Sequence, residues 1–477
     1  MSQFIETVTN VNATLNSFIW GPIMLVGFLC VGLMFTIRTK IFQISHARYW
    51  LDVTLLQLFR DKKVRKTDDK HAISQFQSLC TALAATIGTG NIAGVATAIA
   101  MGGPGAVFWM WLSAFFGMMT NFAENTLGIK YRYRNEKGEW VGGAMIYIER
   151  GLKLKWLAVL FSIFCVLASF GIGNMTQVNS IASGLEESFS IPPMITGIIL
   201  MICVSLVIVG GIKRIASVTE KIVPFMALIY MAGGIFIVIA NFSLVPDAFR
   251  LIFTEAFNFK AAGGGVLGYG VAQAMRTGIS RGVFSNEAGL GSSVMVHCAS
   301  DVKEPVVQGM WGIFEVFTDT LVVCTITALV ILTSGVYDME MYITNIANGV
   351  DVLNGTPLTS ASFAATIPHS DKFVAIALIL FAFSTVLGWS YYGERAITYL
   401  FGSKAVLPYK VIFITTIFFG CTASLDLVWD ISDTFNGFMA VPNLIAITLL
   451  SNEVIKMTKD YVKRVKEGKE SIGGEDL

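Results

Sequence analysis

Charge is scarce in this chain. Asp, Glu, Lys and Arg make up 14% of its 477 residues, where soluble domains carry about 25%. A soluble domain with a charged surface is excluded by that shortage. The 34 basic residues against 33 acidic ones leave a net charge of +1, so no excess of either sign is available to attract nucleic acid or an acidic partner. Cysteine is sparse and unpatterned. The seven, at 30, 80, 165, 203, 298, 324 and 421, include no C-x-x-C and lie in or beside apolar segments. Neither a disulfide framework nor a metal cluster is expected, and they read as small core residues. The four histidines, at 46, 71, 297 and 369, are too dispersed for a zinc site. Two catalytic motifs fail for want of context. Gly278-Ile279-Ser280-Arg281-Gly282 fits G-x-S-x-G without the strand, turn and helix of a nucleophile elbow. GGGVLG at 263–268 fits G-x-G-x-x-G without a βαβ unit. The chain is not read as an enzyme.

What is present is hydrophobicity. AVILMFWYC residues are 54% of the chain, mean hydropathy is +0.65, and apolar runs of about 20 residues, the length that crosses hydrocarbon, recur from end to end. An all-α polytopic membrane protein follows, its partner the lipid bilayer. Eleven spans are expected, near 18–37, 73–101, 104–128, 156–182, 193–211, 215–241, 266–297, 306–334, 372–400, 409–425 and 431–451. No Lys or Arg precedes Arg38 and the first run is a full span, so it reads as the first helix rather than a cleaved signal. Segments 38–72, 130–155 and 212–221 and the tail after 451 hold nine, seven, three and six Lys/Arg. The alternate connections 183–192, 335–370 and 426–430 hold none, and 242–265 holds only Arg250 and Lys260. By the positive-inside rule the N-terminus lies outside and the C-terminus in the cytoplasm. Loop 335–370 is long enough to be an external cap. Segment 40–60 mixes basic and aromatic residues and suits the cytoplasmic interface.

Two spans are glycine-rich and polar at their centres. In 73–101, Gly88, Gly90 and Gly94 fall within seven residues, and 266–297 carries Arg276, Arg281, Asn286 and Glu287. Charge at that depth is tolerated for function or a compensating pair. Counting from 73–101, the breaks fall in helices one and six of ten, the pattern of a transporter built from inverted repeats. The expected divisions are 1–72, an N-terminal span and interfacial segment; 73–241, core helices one to five; 242–265, an external connection; 266–451, core helices six to ten; and 452–477, a cytoplasmic tail. A first half-helix ending near Ile87 points free carbonyls at the midplane and suits a cation. The next half, from about Asn91, points N–H groups at Thr89, Gly90 and Asn91 inward and suits a carboxylate. The second break is expected to offer carbonyls around Gly278–Gly282 to an ammonium group and amides around Ser285–Gly291 to a polar group. A zwitterionic amino acid fits this pair.

Four motifs carry a family resemblance: Gly88-Thr89-Gly90-Asn91-Ile92-Ala93-Gly94; Gly102-Gly103-Pro104-Gly105-Ala106 with Trp109-Met110-Trp111; Ser280-Arg281-Gly282-Val283-Phe284-Ser285-Asn286-Glu287-Ala288-Gly289-Leu290-Gly291; and Phe383-Ser384-Thr385-Val386-Leu387-Gly388-Trp389-Ser390-Tyr391-Tyr392-Gly393-Glu394. Together they resemble the alanine/glycine:cation symporter family of amino acid transporters over nearly the whole chain. The resemblance implies a leucine-transporter-type inverted-repeat fold with one extra N-terminal helix in a plasma (cell inner) membrane. It also implies sodium, sometimes proton, coupling and alanine or glycine as substrate. Carried over residue by residue, it implies that the amides of Thr89 and Gly90 hold the substrate carboxylate. The sodium ion would lie on the carbonyls of Ala84, Ile87 and Phe381 and the hydroxyls of Ser384 and Thr385, an oxygen-only set as a hard cation prefers. Asn91 would serve a second ion whose other ligands the motifs leave open.

Further candidates come from single residues. Trp389 is placed to wall the pocket, Phe284 to close over substrate, and Gln177 and Ser285 to bond it. Glu124 and Glu394 are expected in gate or structural ion pairs, the latter with Arg395. Glu287, Glu315 and Asp319 are expected either to pair with Arg276 or Arg281 or to relay protons. No obligate protein partner is evident in the sequence.

Overall fold

In the computed structural model, residues 2–258, 270–422 and 426–468 are described. The expected connection 242–265 and the tail therefore lie partly outside the described residues, as does the 263–268 glycine run. The described chain is helical apart from a two-stranded hairpin in which Tyr133 pairs with Val141 and Arg134 with Trp140. Among the described residues seven helices are long and apolar enough to cross a bilayer, or nine when each of two bent pairs counts as one span. Pro193–Ile208 is apolar but shorter. The expected span 266–297 is divided into helix Val271–Asn286, an irregular stretch and the short helix Val294–His297.

Gly105–Tyr131 runs through the middle of the molecule and packs on Val271–Asn286 and Pro305–Val316. Lys155–Phe170 packs on Asp371–Phe401 and Asp426–Leu449, and the half-helix Gln75–Thr86 lies between Gly211–Ala240 and Asp371–Phe401. In hydrocarbon, helices are held by close van der Waals contact, so small residues mark the tightest crossings. A Cβ on Gly388 would stand 2.8 Å from the Ala85 Cβ, and one on Gly32 would stand 2.5 Å from the Phe116 carbonyl oxygen. Apolar side chains such as Ile199, Phe236, Ile239 and Leu407 face outward at more than half exposure, as a lipid-facing surface requires.

Loop 335–370 folds into helices Met339–Ala347 and Gly355–Thr366, and the second lies over the first break, where Thr359 Oγ1 donates to the Ile92 carbonyl at 2.9 Å. Segment 40–60 forms short helical turns that leave Ile44 and Phe59 exposed. Residues 451–466 form a helix bound back to the body: Tyr131 donates to Glu453 at 2.6 Å, and Arg464 pairs with Glu304 at 2.8 Å. Two cysteines depart from expectation. Cys30 and Cys203 are exposed rather than core, because their helix faces point away from neighbouring helices.

The buried acids also correct the reading. Arg276 is exposed and Arg281 lies over the Phe284 ring, 5.5 Å from its centroid, and among the described residues neither pairs with a carboxylate. Glu315 instead sits 2.8 Å from His297 Nε2, both fully buried, with Gln308 on the other ring nitrogen. Glu124 makes no ion pair among the described residues and accepts a hydrogen bond from Asn443. Glu394 does form the expected pair with Arg395, at 2.8 Å, and gains Lys410 at 2.9 Å. Leaving one member of a buried polar pair alone costs about 1–3 kcal/mol. His297→Ala is therefore expected to lower the melting temperature in detergent, and adding Glu315→Gln to recover part of the loss, read by tryptophan fluorescence.

Candidate functional site

The half-helix Gln75–Thr86 opens with a capping box between Ser74 and Gln77 and stops where Ile87 turns extended, at φ −77 and ψ 91. The chain bends by 50° before helix resumes from Gly90. Asn91 closes the gap. Its Oδ1 accepts the Gly88 N–H at 2.9 Å, and its Nδ2 donates to Asp319 Oδ1 at 2.7 Å. Freed backbone groups are tolerated at membrane depth only when such partners exist.

The second break lies later than expected. Helix Val271–Asn286 runs unbroken through Gly278–Gly282, so those carbonyls are spent inside the helix. The interruption begins at Glu287, with φ 56, and passes Gly289 and Gly291 at φ 92 and 72, values that favour glycine. The amides expected to serve a ligand are partly turned inward: Glu287 N–H bonds Val283, Ala288 N–H bonds the Asn286 side chain, and Leu290 N–H bonds Glu287.

A small cavity lies where the breaks meet. Its lining includes Gly88, Thr89 and Gly90 of the first break, Phe284 and Glu287 of the second, and Gln177, Thr385 and Trp389. Its free volume of about 10 Å³ is room for roughly one water. The approach of the two segments is close: a Cβ on Gly90 would stand 3.2 Å from Ser285 Cα and 3.4 Å from Phe284 Cδ1. Trp389 is seated by glycine, since a Cβ on Gly173 would meet its Cβ at 2.4 Å. Gly173 belongs to the widened turn Gly171–Met175, one turn ahead of Gln177. Two cavity-lining residues carry unsatisfied buried oxygens. Thr89 Oγ1 and Gln177 Oε1 have no hydrogen-bond partner among the described residues, although Gln177 Nε2 donates to the Ile172 carbonyl at 3.0 Å. Buried polar atoms without partners are uncommon and mark a place for a ligand or water.

Asn91 and Ser285 stand behind this cavity rather than in its wall. The Ser285 hydroxyl donates to Asp319 at 2.8 and 3.1 Å, so Asp319 bonds to both broken segments. That link, and the position of Glu287 on the cavity wall, escaped the sequence reading. The one available signal was an acidic residue inside a glycine-rich break.

The residues considered for sodium gather on the other side of the first break. Thr385 Oγ1 lies 3.1 Å from the Ala84 carbonyl and 3.0 Å from that of Phe381, and Ser384 Oγ lies 3.3 and 2.8 Å from the same two. Ile87 is the first residue beyond the half-helix, fully buried. A Cβ on its neighbour Gly88 would be 2.4 Å from Thr385 Oγ1, so that hydroxyl lies directly on the break. The donor set is all oxygen and fits a hard cation. Thr385 also lines the cavity, which joins the two places through one side chain.

Two interrupted helices crossing at a buried polar cavity define a membrane carrier of the leucine-transporter fold. Solved structures share that fold. One is MhsT in complex with L-phenylalanine, at TM-score 0.53 and 15% identity, matching 82% of this chain and 93% of the other. Another is a manganese transporter of Eremococcus coleocola, at TM-score 0.50 and 14% identity over 83% and 82%. At such identities the likeness speaks to the fold alone. The chain belongs to the sodium:alanine symporter family, whose model matches residues 5–473. It is a multi-pass membrane protein and a secondary transporter of amino acids, not an enzyme. The sodium/alanine symporter AgcS of Methanococcus maripaludis is 46% identical over 96% of this chain and 98% of its own. Two Bacillus subtilis relatives carry provisional names: sodium/glutamine symporter GlnT, 37% identical over 100% and 95%, and sodium/proton-dependent alanine carrier protein YrbD, 38% identical over 96% and 94%.

Branched carbons on residue 90 would press on Ser285 and Phe284 and fill the cavity. Gly90→Val is expected to reduce amino acid uptake by at least about tenfold, the effect of roughly 1.4 kcal/mol, while leaving the protein monodisperse in detergent. Wild-type transport by this variant would count against the cavity as the substrate site.

Proposed function

We propose that this protein is a sodium-coupled symporter carrying a small neutral amino acid, alanine or glycine, into the cell by alternating access. The observation that bears most on this reading is the pair of unsatisfied oxygens, on Thr89 and Gln177, in the wall of a cavity too small for a large side chain. The substrate carboxylate binds the start of the second half-helix, at the amides of Thr89 and Gly90, where the helix dipole favours an anion; the Asn91 N–H, expected to join them, is instead taken by the Gly88 carbonyl at 3.3 Å. Gln177 bonds the substrate from the opposite wall, and Phe284 and Trp389 bound its side chain. Ser285 and the Asn91 side chain, tied to Asp319, hold the two breaks in register behind it.

Sodium is carried as a second substrate. It takes the carbonyls of Ala84, Ile87 and Phe381 and the hydroxyls of Ser384 and Thr385, which now bond to the Ala84 and Phe381 carbonyls. Binding there pins the half-helix Gln75–Thr86 to helix Asp371–Phe401. The same pinning fixes Thr385 in the cavity wall and prepares the amides of the break, so each ligand favours the other through shared geometry. Within the inner membrane, with the N-terminus outside and the C-terminus in the cytoplasm, repeats 73–241 and 266–451 supply the two breaks. The segment 1–72, connection 242–265 and tail 452–477 flank them.

A proton-coupled carrier of the same fold is a second reading. The buried carboxylates of Glu287, Glu315 and Asp319 and the provisional name of the relative YrbD both favour considering it.

Proteoliposomes loaded with labelled alanine outside separate the readings. Accumulation is expected under an inward sodium gradient, competed by glycine, and absent when the same potential is imposed without sodium. Uptake driven by a pH gradient alone would move the coupling to a carboxylate. Thr385→Ala removes one ligand and is expected to raise the sodium concentration for half-maximal uptake by about tenfold. Unchanged sodium dependence would overturn the ion site while leaving the substrate site standing.

A further inference from the structure

Among the described residues five carboxylates lie buried in or beside the spans: Glu394, paired with Arg395 and Lys410, and Glu124, Glu287, Glu315 and Asp319, the last four no more than 2% exposed. Of those four, three are engaged away from the cavity, Glu124 with Asn443, Glu315 with His297, and Asp319 with Asn91 and Ser285. Glu287 differs in position. Among the described residues it is the one ionisable side chain in the cavity lining.

Its surroundings leave its charge uncompensated. Ser292 Oγ donates to Oε2 at 2.6 Å, the Trp389 ring N–H is a further hydrogen-bonding neighbour with Tyr392 beside it, and among the described residues Glu287 forms no ion pair with Lys or Arg. A buried carboxylate of this kind calls for a cation or a proton. The backbone adds to that demand. Glu287 follows the last residue of helix Val271–Asn286, whose final carbonyls and dipole turn a partial negative charge toward the same place. Across the cavity, Thr89 and Gly90 present the opposite end of a helix. One wall is thus built for an anion and the other for a cation, a few ångströms apart, which is the charge pattern of a zwitterion.

We propose that Glu287 is the counter-ion of the substrate's α-ammonium group, so that the cavity accepts α-amino acids and rejects the corresponding hydroxy acids and deaminated acids. This assignment rests on the amino acid symport reading. Lactate has the carboxylate and nearly the size of alanine, but a hydroxyl in place of the ammonium; it meets the carboxylate wall without bringing a charge to Glu287. Recognition by the carboxylate alone would not separate the two. Among the residues assigned to sodium, Thr385 lines the cavity and Ala84, Ile87, Phe381 and Ser384 do not; Glu287 is not one of them, so ammonium and sodium do not compete for the same group.

The test is uptake of labelled alanine by the intact protein in proteoliposomes, with unlabelled lactate or propionate as competitor. In the wild type neither acid is expected to compete. Glu287→Gln removes the charge at constant size. Its KM for alanine is expected to rise about 10- to 100-fold, the usual loss for a hydrogen bond to a charged group, and the preference for alanine over lactate to collapse. The sodium concentration for half-maximal uptake should stay near the wild-type value. Glu287→Asp keeps the charge and is expected to raise KM while still excluding lactate.

Unchanged KM and unchanged rejection of lactate in Glu287→Gln would overturn the assignment. So would a loss confined to sodium affinity, which would make Glu287 an ion ligand, or retained alanine affinity with loss of uptake driven by pH, which would make it the proton carrier. If the wild type takes up no amino acid, the symport reading itself fails. Wild-type uptake with a variant indistinguishable from it sinks the role of Glu287 alone.

Discussion

A helix interrupted inside hydrocarbon leaves N–H and C=O groups that no water can satisfy. Everything near the centre of this molecule answers that constraint. Asn91 closes the first break by taking the Gly88 N–H, and Asp319 holds Asn91 in place. Ser384 and Thr385 reach across from helix Asp371–Phe401 to the orphan carbonyl of Ala84. Asn286 and Asn443 serve the second break, the first through the Ala288 N–H and the second through the Gly289 carbonyl. Of the groups that repair the breaks, Thr385 also lines the cavity. Break and cavity adjoin, since Gly88, Thr89 and Gly90 of the first break and Glu287 of the second line it.

The repair depends on close approach, and close approach depends on small residues. Gly388 lets helix Asp371–Phe401 touch the half-helix at Ala85, which brings Thr385 onto Gly88. Gly173 makes the slot in which Trp389 sits, and Gly90 lets the two breaks meet at Ser285. Without a hydrophobic effect to press helices together in lipid, these contacts are the attraction itself. They also bound the cavity with backbone on several sides, so its size is set by chain approach more than by side-chain choice. The small size of the cavity then follows from the same glycines that permit the breaks.

The acids divide by what faces them. Glu315 and Asp319 are consumed by His297 and by the residues of the breaks, and so act as fasteners between helices. Glu394, paired with Arg395 and Lys410, lines a wider recess formed with loop 133–146. Only Glu287 stands on the central cavity wall.

Much of this was legible in the sequence. Hydropathy determined a helical membrane protein, and the glycine clusters marked two spans as interrupted, the first at Gly88–Gly94 where the break is found. The structure sets Ser384 and Thr385 against Ala84 and places Thr89, Gly90, Gln177, Phe284 and Trp389 around one cavity. The rest belonged to tertiary structure. The second break starts at Glu287 rather than within Gly278–Gly282, because contact with Gly105–Tyr131 supports the helix through those glycines: a Cβ on Gly278 would stand 2.2 Å from the Ala106 carbonyl oxygen. Which acid would face the cavity, which would bond His297 and which arginine would be left outside were decided only there as well. A side chain in an unwound segment points where its own φ and ψ send it, and no periodicity in the sequence records that direction.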